Sequence, residues 1–413
     1  MLKKITLTLS ALGLALSSLG APSFVCQTLT PGEQTQQNIQ RIIDQCAETE
    51  GYVAFTPGTY TVSGLKLPAH AALSLAKGAT LVLTGENGQS GSIQVLGDKV
   101  TISGEGTISG GVQSLPYAGK DVKLPKEQEK ALKEQEKAFK EVYESPFVDN
   151  SIFNLPALVQ ATNVNNLEIS GVSFTNFSGN AVYLNKVKQV TINQTKVSSE
   201  RLFTHGIVVN GGEGVTLKQN YLSLPGIHVL IAAKDAPSQQ VRLDTNYLYG
   251  GVGAVIGINL SQGVKQVEVN NLVVQQAEAG VAILTNARVG GQVSDISFNN
   301  IYVNDVSKPI YLAANFNQTY KNTGNAIPTF QNLSISNFYS LGGGNIVLTG
   351  YSSSNPLAVN FSNVRIAKVN SWKIEAAKIT DVANSSTGSF SQASVDEVKA
   401  VIDSQLKPFP RYN

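Results

Sequence analysis

Val215-Thr-Leu-Lys-Gln-Asn220 decides the fold, because its apolar-x-apolar opening recurs down the second half of the chain. The phrase stands as Leu167-Glu-Ile169, Val190-Thr-Ile192, Val215-Thr-Leu217, Val241-Arg-Leu243, Val267-Glu-Val269, Ile296-Ser-Phe298, Leu333-Ser-Ile335 and Val359-Asn-Phe361, at successive spacings of 23, 25, 26, 26, 29, 37 and 26 residues. Each period holds a second short apolar run, such as Gly206-Ile-Val-Val209, Val229-Leu-Ile231 or Gly280-Val-Ala-Ile-Leu284. Strands this short and regular, with Gly- and Asn-rich turns and no helix between them, exclude a doubly wound α/β sheet. A β-sandwich would show two-residue hairpin turns as its dominant signal, and they are not dominant here. The pattern predicts an all-β solenoid of stacked coils. Asn193, Asn220, Asn246, Asn271, Asn300, Asn337 and Asn363 follow the phrase, and are expected to stack as one amide ladder at the ~4.8 Å strand spacing.

A solenoid has open ends that must be capped. Thr35 to Cys46 places Ile39, Ile42, Ile43 and Cys46 on one helical face, a plug for the N-terminal end. Ser394-Val-Asp-Glu397 reads as a capping box opening a C-terminal helix with Val395, Val398, Ile402 and Leu406. Upstream, a basic start (Lys3, Lys4), an apolar run and small residues at Ala21 and Ser23 read as a signal peptide over 1–23. The mature protein is therefore expected outside the cytoplasm, secreted or periplasmic. An oxidising compartment favours a disulfide between Cys26 and Cys46, the chain's two cysteines.

The 413 residues carry 31 basic and 29 acidic side chains, a balance that argues against a nucleic-acid binder relying on a basic field. Charge is concentrated: 14 of these 60 groups fall in the 25 residues Lys120 to Glu144. That stretch, within an insertion over 120–146, alternates sign at helical spacing, as a solvated helix does. Its functional alternative is a lid or docking element. The remainder is poor in carboxylates. The expected organisation is a signal peptide, a solenoid domain over 24–375, and a tail with a helix over 376–413.

The chain resembles the polygalacturonase family of glycoside hydrolases, right-handed parallel β-helices that cleave pectin-type chains. The resemblance rests on Asn38-Ile-Gln-Arg-Ile-Ile-Asp-Gln-Cys46, Phe55-Thr-Pro-Gly-Thr-Tyr60, Leu75-Ala-Lys-Gly-Ala-Thr-Leu81 and Ile102-Ser-Gly-Glu-Gly-Thr-Ile108. It continues through Leu155-Pro-Ala-Leu158, Val172-Ser-Phe-Thr-Asn176, Val293-Ser-Asp-Ile-Ser-Phe-Asn-Asn-Ile301 and Lys308-Pro-Ile-Tyr-Leu312. It implies an extracellular, uronate-containing polysaccharide as partner, no cofactor and a monomer. The family's four motifs, N-T-D, D-D, G-H-G and R-I-K, align with Phe203-Thr204-His205, Gly226-Ile227, Gly251-Val252-Gly253 and Ala282-Ile283-Leu284. An inverting hydrolase needs a protonated acid and a carboxylate ~6.5–9.5 Å apart, and none of these aligned positions holds a carboxylate.

Nine acids lie between residues 151 and 350. Of these, Glu200, Asp235 and Glu278 fall in turns flanking the groove strands and are, with His205, the weak catalytic candidates. His205 and His228 open groove strands in adjacent coils; if Ile207 stacks on Val229, then His228 lies beside Gly206 and His205 beside Ile227. With Arg201, Lys234, Lys308, Tyr183 and Tyr311 they form a candidate surface for an anionic sugar, or for a β-elimination in which a base removes the proton beside a uronate carboxyl. No spacing of metal ligands is present. Three functions stay open: a diverged hydrolase, a uronate lyase, and a non-catalytic polysaccharide binder, adhesin or scaffold.

Overall fold

A computed structural model describes residues 24–32, 34–85, 89–112, 126, 156–201, 204–316, 325–381 and 393–405. The expected signal peptide and, apart from residue 126, the charged insertion lie outside these residues.

The described chain is a right-handed-type parallel β-solenoid in which every coil contributes to three ladders, all pairings between coils being parallel. The first ladder is the repeated phrase itself. Leu167 pairs with Val190, Val190 with Val215, Val215 with Val241, Val241 with Val267, Val267 with Ile296, Ile296 with Leu333 and Leu333 with Val359. All eight phrases are thus in one register. The alternation has a physical cause: the first and third positions point inward and are buried, while the middle one meets solvent, so a one-residue slip would turn the core outward. The spacings of 29 and 37 residues leave this register intact, because the surplus residues are excursions between the third ladder and the next phrase, after Leu284 and Ala313. The second ladder stacks short strands such as Lys196–Ser198, Tyr221–Ser223 and Tyr247–Tyr249. The third runs through Asn180–Asn185, His205–Asn210, Ile227–Ala232, Val252–Gly257, Ala279–Leu284, Lys308–Ala313, Asn345–Thr349 and Ser371–Glu375.

Six of the seven asparagines divide into two stacks, and Asn193, the last residue of its strand, stands in neither, which corrects the single ladder expected from sequence. Four residues after the start of each phrase from Val190 onward the chain turns through the left-handed region, at Gln194, Gln219, Thr245, Asn271, Asn300, Asn337 and Asn363 (φ 48 to 55°). Asparagine tolerates that conformation better than most L-residues. Asn300 donates to Asn271 (3.2 Å) and Asn363 to Asn337 (2.8 Å), one stack at the turn. Asn220 and Asn246 stand one residue later and point inward, fully buried. Asn220 Oδ1 accepts the Thr195 backbone N–H (3.0 Å), and Asn246 Oδ1 accepts that of Asn220 (3.1 Å). These amides satisfy buried backbone donors where the coil bends and no strand partner is at hand.

At the N-terminal end helix α1 (Gln36–Glu48), capped by Thr35 Oγ1 accepting from Asn38 N (3.2 Å), buries Ile39, Ile42, Ile43, Cys46 and Ala47 over the open core. The Cys26–Cys46 disulfide is present and ties strand Val25–Leu29 to this plug. Its reduction, or Cys26→Ser, should lower unfolding stability by about 3 kcal/mol, the chain-entropy value for a loop of this size. Chemical denaturation with and without reductant measures the effect; coincident midpoints would rule out a role for the bond in stability.

The parallel stack continues beyond residue 375, since Ala377–Asp381 pairs with Leu357–Phe361. Helix α2 (Val395–Gln405) does not close the C-terminal end. It buries Val398 and Ile402 on the side of the solenoid with Ala367, Tyr302, Tyr339 and Leu341, the two tyrosine rings being stacked at 5.7 Å. No helix among the described residues is long and apolar enough to cross a membrane.

Candidate active-site face

The third ladder carries the aligned motif positions, and its outward side is apolar. One row runs from Tyr183 through Val208, Leu230, Val255, Ala282 and Tyr311 to Val347, each residue in register with the next. The strands put alternate residues into the main core, Val182, Ile207, Val229, Ala254, Val281 and Ile310 among them, so this row belongs to the opposite face. From Tyr183 to Tyr311 it joins Ile227, Val252 and Ala279 in a second, separate apolar cluster. Exposure along its centre is small: Val208 4%, Leu230 4%, Val255 1% and Ala282 0%. Such a surface removes apolar area from water and supplies no group that transfers a proton.

The two histidines occupy the register positions expected of them, because Ile207 does pair with Val229. Both are buried, His205 at 1% and His228 at 0% exposure, so their first service is to the backbone. His205 Nδ1 accepts the Ile227 N–H at 3.1 Å, which assigns the proton of the neutral ring to Nε2. His228 lies between two carbonyl oxygens, with Nδ1 2.6 Å from Val252 O and Nε2 3.0 Å from Tyr249 O. Burial pushes its pKa down from 6.5 to about 4, against the raising effect of the Val252 and Tyr249 hydrogen bonds and with a further lowering by His205. At neutral pH the His228 ring is uncharged and its single N–H donates to one of these two carbonyls, which flank the turn at Gly250 and Gly251.

Backbone crowding surrounds this pair. A Cβ on Gly226 would stand 1.9 Å from Thr204 O and 2.8 Å from His205 Nδ1, and one on Gly253 would stand 2.1 Å from Gly280 O. These glycines are required because adjacent coils approach too closely for any side chain.

The remaining candidates divide between the two edges of the sheet. At the edge where the strands begin, Lys308 Nζ and Glu278 Oε1 form an ion pair, and the ammonium lies 5.7 Å from the Tyr311 ring centre. Burial, then the Glu278 charge, raises the Tyr311 pKa, so the phenol stays protonated as a donor. Arg201 lies before the strand opened by His205, and burial lowers its guanidinium pKa; Arg201 O accepts from Thr204 Oγ1 (2.7 Å). Glu200 beside it is exposed.

At the other edge, Asn210 gathers residues that the sequence reading had named separately. Its Nδ2 donates to Asp235 Oδ2 (2.8 Å), Asn185 Oδ1 (3.2 Å) and Tyr183 OH (3.2 Å), while its Oδ1 accepts the Lys234 N–H (2.9 Å). Asn210 is itself 3% exposed and was not singled out from sequence. The available signal was Asn185, which stands 25 residues earlier and pairs with it in register. The Asn210 and Ala279 rows are five residues apart along the strands, so Asp235 and Glu278 are separated by roughly 16 Å at ~3.3 Å per residue. That exceeds the ~6.5–9.5 Å of an inverting carboxylate pair.

Similarity to known proteins follows the same geometry. The chain is 24% identical over 226 residues to an endo-polygalacturonase of Pectobacterium carotovorum subsp. carotovorum, covering 54% of this chain and 55% of that one. It is 27% identical over 174 residues to a polygalacturonase of Ralstonia solanacearum, covering 39% of this chain and 32% of the relative. The matched region thus spans about half or less of these relatives. The solved polygalacturonase of Erwinia carotovora ssp. carotovora superposes with a TM-score of 0.69 at 22% identity, covering 86% of this chain and 96% of that one. The model of Glycosyl hydrolases family 28 matches residues 93–389, well over half of the sequence. This protein belongs to that glycosyl hydrolase family.

Proposed function

We propose that this family 28 member is a secreted protein that recognises an extracellular, pectin-type polysaccharide and does not hydrolyse it. The observation that carries the reading is the row Val208, Leu230, Val255 and Ala282. Aliphatic, closed side chains occupy the centre of the sheet on which a family hydrolase would place its proton-transferring groups. Hydrolysis by inversion needs one acid and one base together. Here His205 is the single ionisable residue at the aligned motif positions, and its Nδ1 is engaged by the backbone. The polar edges, with Tyr183 and Lys234 beside Asn210 and Tyr311, Lys308 and Arg201 opposite, supply donors and aromatic surface suited to sugar hydroxyls and carboxylates. Export is supported by the 1–23 leader pattern and by the disulfide, which persists in oxidising compartments.

The test is to incubate the purified protein with polygalacturonate and rhamnogalacturonan, following reducing ends, unsaturated products and binding. The expected outcome is saturable binding with neither product. Lys234→Gln should weaken that binding about fivefold, the effect of one exposed charged contact of roughly 1 kcal/mol. New reducing ends would establish hydrolysis and overturn the non-catalytic reading, and unsaturated products would establish a lyase. Absence of binding to every uronan would remove polysaccharide recognition itself.

A further inference from the structure

The C-terminal end of the solenoid is built differently from the N-terminal end. Strand Ser371–Glu375 is the last of the third ladder among the described residues and pairs on one side with Asn345–Thr349, Leu348 opposite Ile374. Leu348 is fully buried, but Ile374, which continues the same inward row, is 39% exposed, and among the described residues no strand pairs beyond it. Of the two described elements that follow, strand Ala377–Asp381 joins the first ladder and helix α2 packs on the flank. An edge strand of this kind offers a row of N–H and C=O groups to another strand.

The charges on this edge specify what fits it. Lys373 and Glu375 flank Ile374 on the outward side, both more than half exposed, and pair with each other loosely at 3.5 Å. Antiparallel pairing of the strand with a copy of itself, centred on Ile374, sets Lys373 of each protomer directly opposite Glu375 of the other. It also sets the two Ile374 side chains together on the core side. Directly opposed unlike charges favour antiparallel pairing, and like charges oppose it. A two-fold axis between the two Ile374 residues generates both ion pairs at once, an isologous and closed arrangement that stops at two copies.

We propose that the edge strand Ser371–Glu375 docks on the same strand of a second copy, giving an antiparallel, two-fold dimer in which the third ladders of both solenoids form one continuous sheet. This surface is independent of the polysaccharide-binding reading and goes beyond it.

Sedimentation velocity or light scattering on the full exported chain over a concentration series tests the proposal. The expected result is a reversible monomer–dimer equilibrium. Lys373→Glu should raise the dimer Kd about tenfold or more, Glu375→Lys likewise, and the exchanged double variant K373E/E375K should return it to within about twofold, since the opposed charges are again unlike. Ile374→Lys should yield monomer. A monomer at every concentration, a ladder of larger oligomers, or a dimer indifferent to the single charge reversals would each overturn it. Far-ultraviolet circular dichroism of the variants separates loss of docking from loss of fold.

Discussion

Gly226→Asp is expected to destabilise the protein by more than about 3 kcal/mol and to confer no polysaccharide hydrolysis, although it places a carboxyl where the resemblance calls for one. The new Cβ would meet Thr204 O at 1.9 Å, a backbone atom that cannot rotate aside, and His205 Nδ1 at 2.8 Å. Relief requires the two coils to separate. Overpacking alone costs about 1–3 kcal/mol. Displacing the His205 ring also strips the buried Ile227 N–H of its acceptor, a further ~1–3 kcal/mol. Denaturation midpoints and reducing-end assays on the variant measure both parts of the expectation. An unchanged midpoint would show that the coils yield here, and activity would show that a missing carboxylate was the whole defect. Position 226 has no room for an acid side chain between these two coils.

Acidification supplies the second large effect. Unfolded, the His228 ring takes up a proton near pH 6.5; folded, it resists until about pH 4, chiefly because burial disfavours the charged form. Between those values the unfolded chain holds more protons than the folded one, so stability falls as pH drops through the window and rises as pH returns. At 1.36 kcal/mol per pKa unit the loss reaches about 3 kcal/mol by pH 4. The affected place is specific, since the ring sits between Val252 O and Tyr249 O. His228→Gln keeps a donor at this position without the titration. It should be less stable at pH 7, by about 2 kcal/mol for the poorer packing, yet show a flatter stability profile between pH 6.5 and 4. Equal slopes in the two proteins would place the acid response elsewhere.

The solenoid was legible because its information is local and repeated. Apolar-x-apolar at Leu167, Val190, Val215, Val241, Val267, Ile296, Leu333 and Val359 sets inward and outward positions by the two-residue period of a strand, and stacking then fixes the register. Cys26 and Cys46 were legible for a similar reason, there being no other partner for either. The asparagines were only half legible. Counting residues after the phrase merges Asn220, which points into the core, with Asn271, which occupies the left-handed turn one position earlier, and only the backbone conformation separates them.

The site was less legible. The positions of His205 and His228 followed from register, but sequence carries no measure of how close two coils come, so their enclosure and their backbone partners did not follow. Asn210 escaped notice because its four partners come from the two coils on either side of its own.

The sequence by itself determined the parallel β-helix and the disulfide, because the first is a matter of which residues recur at which interval and the second of two cysteines with no other partner. The tertiary structure alone decided that the outward face of the third ladder is a closed apolar cluster, that both histidines are held by backbone atoms, and that Asp235 and Glu278 stand at opposite edges. Those properties depend on distances of a few ångströms between coils far apart in the chain, and such distances are set by the stacking of the coils as a whole.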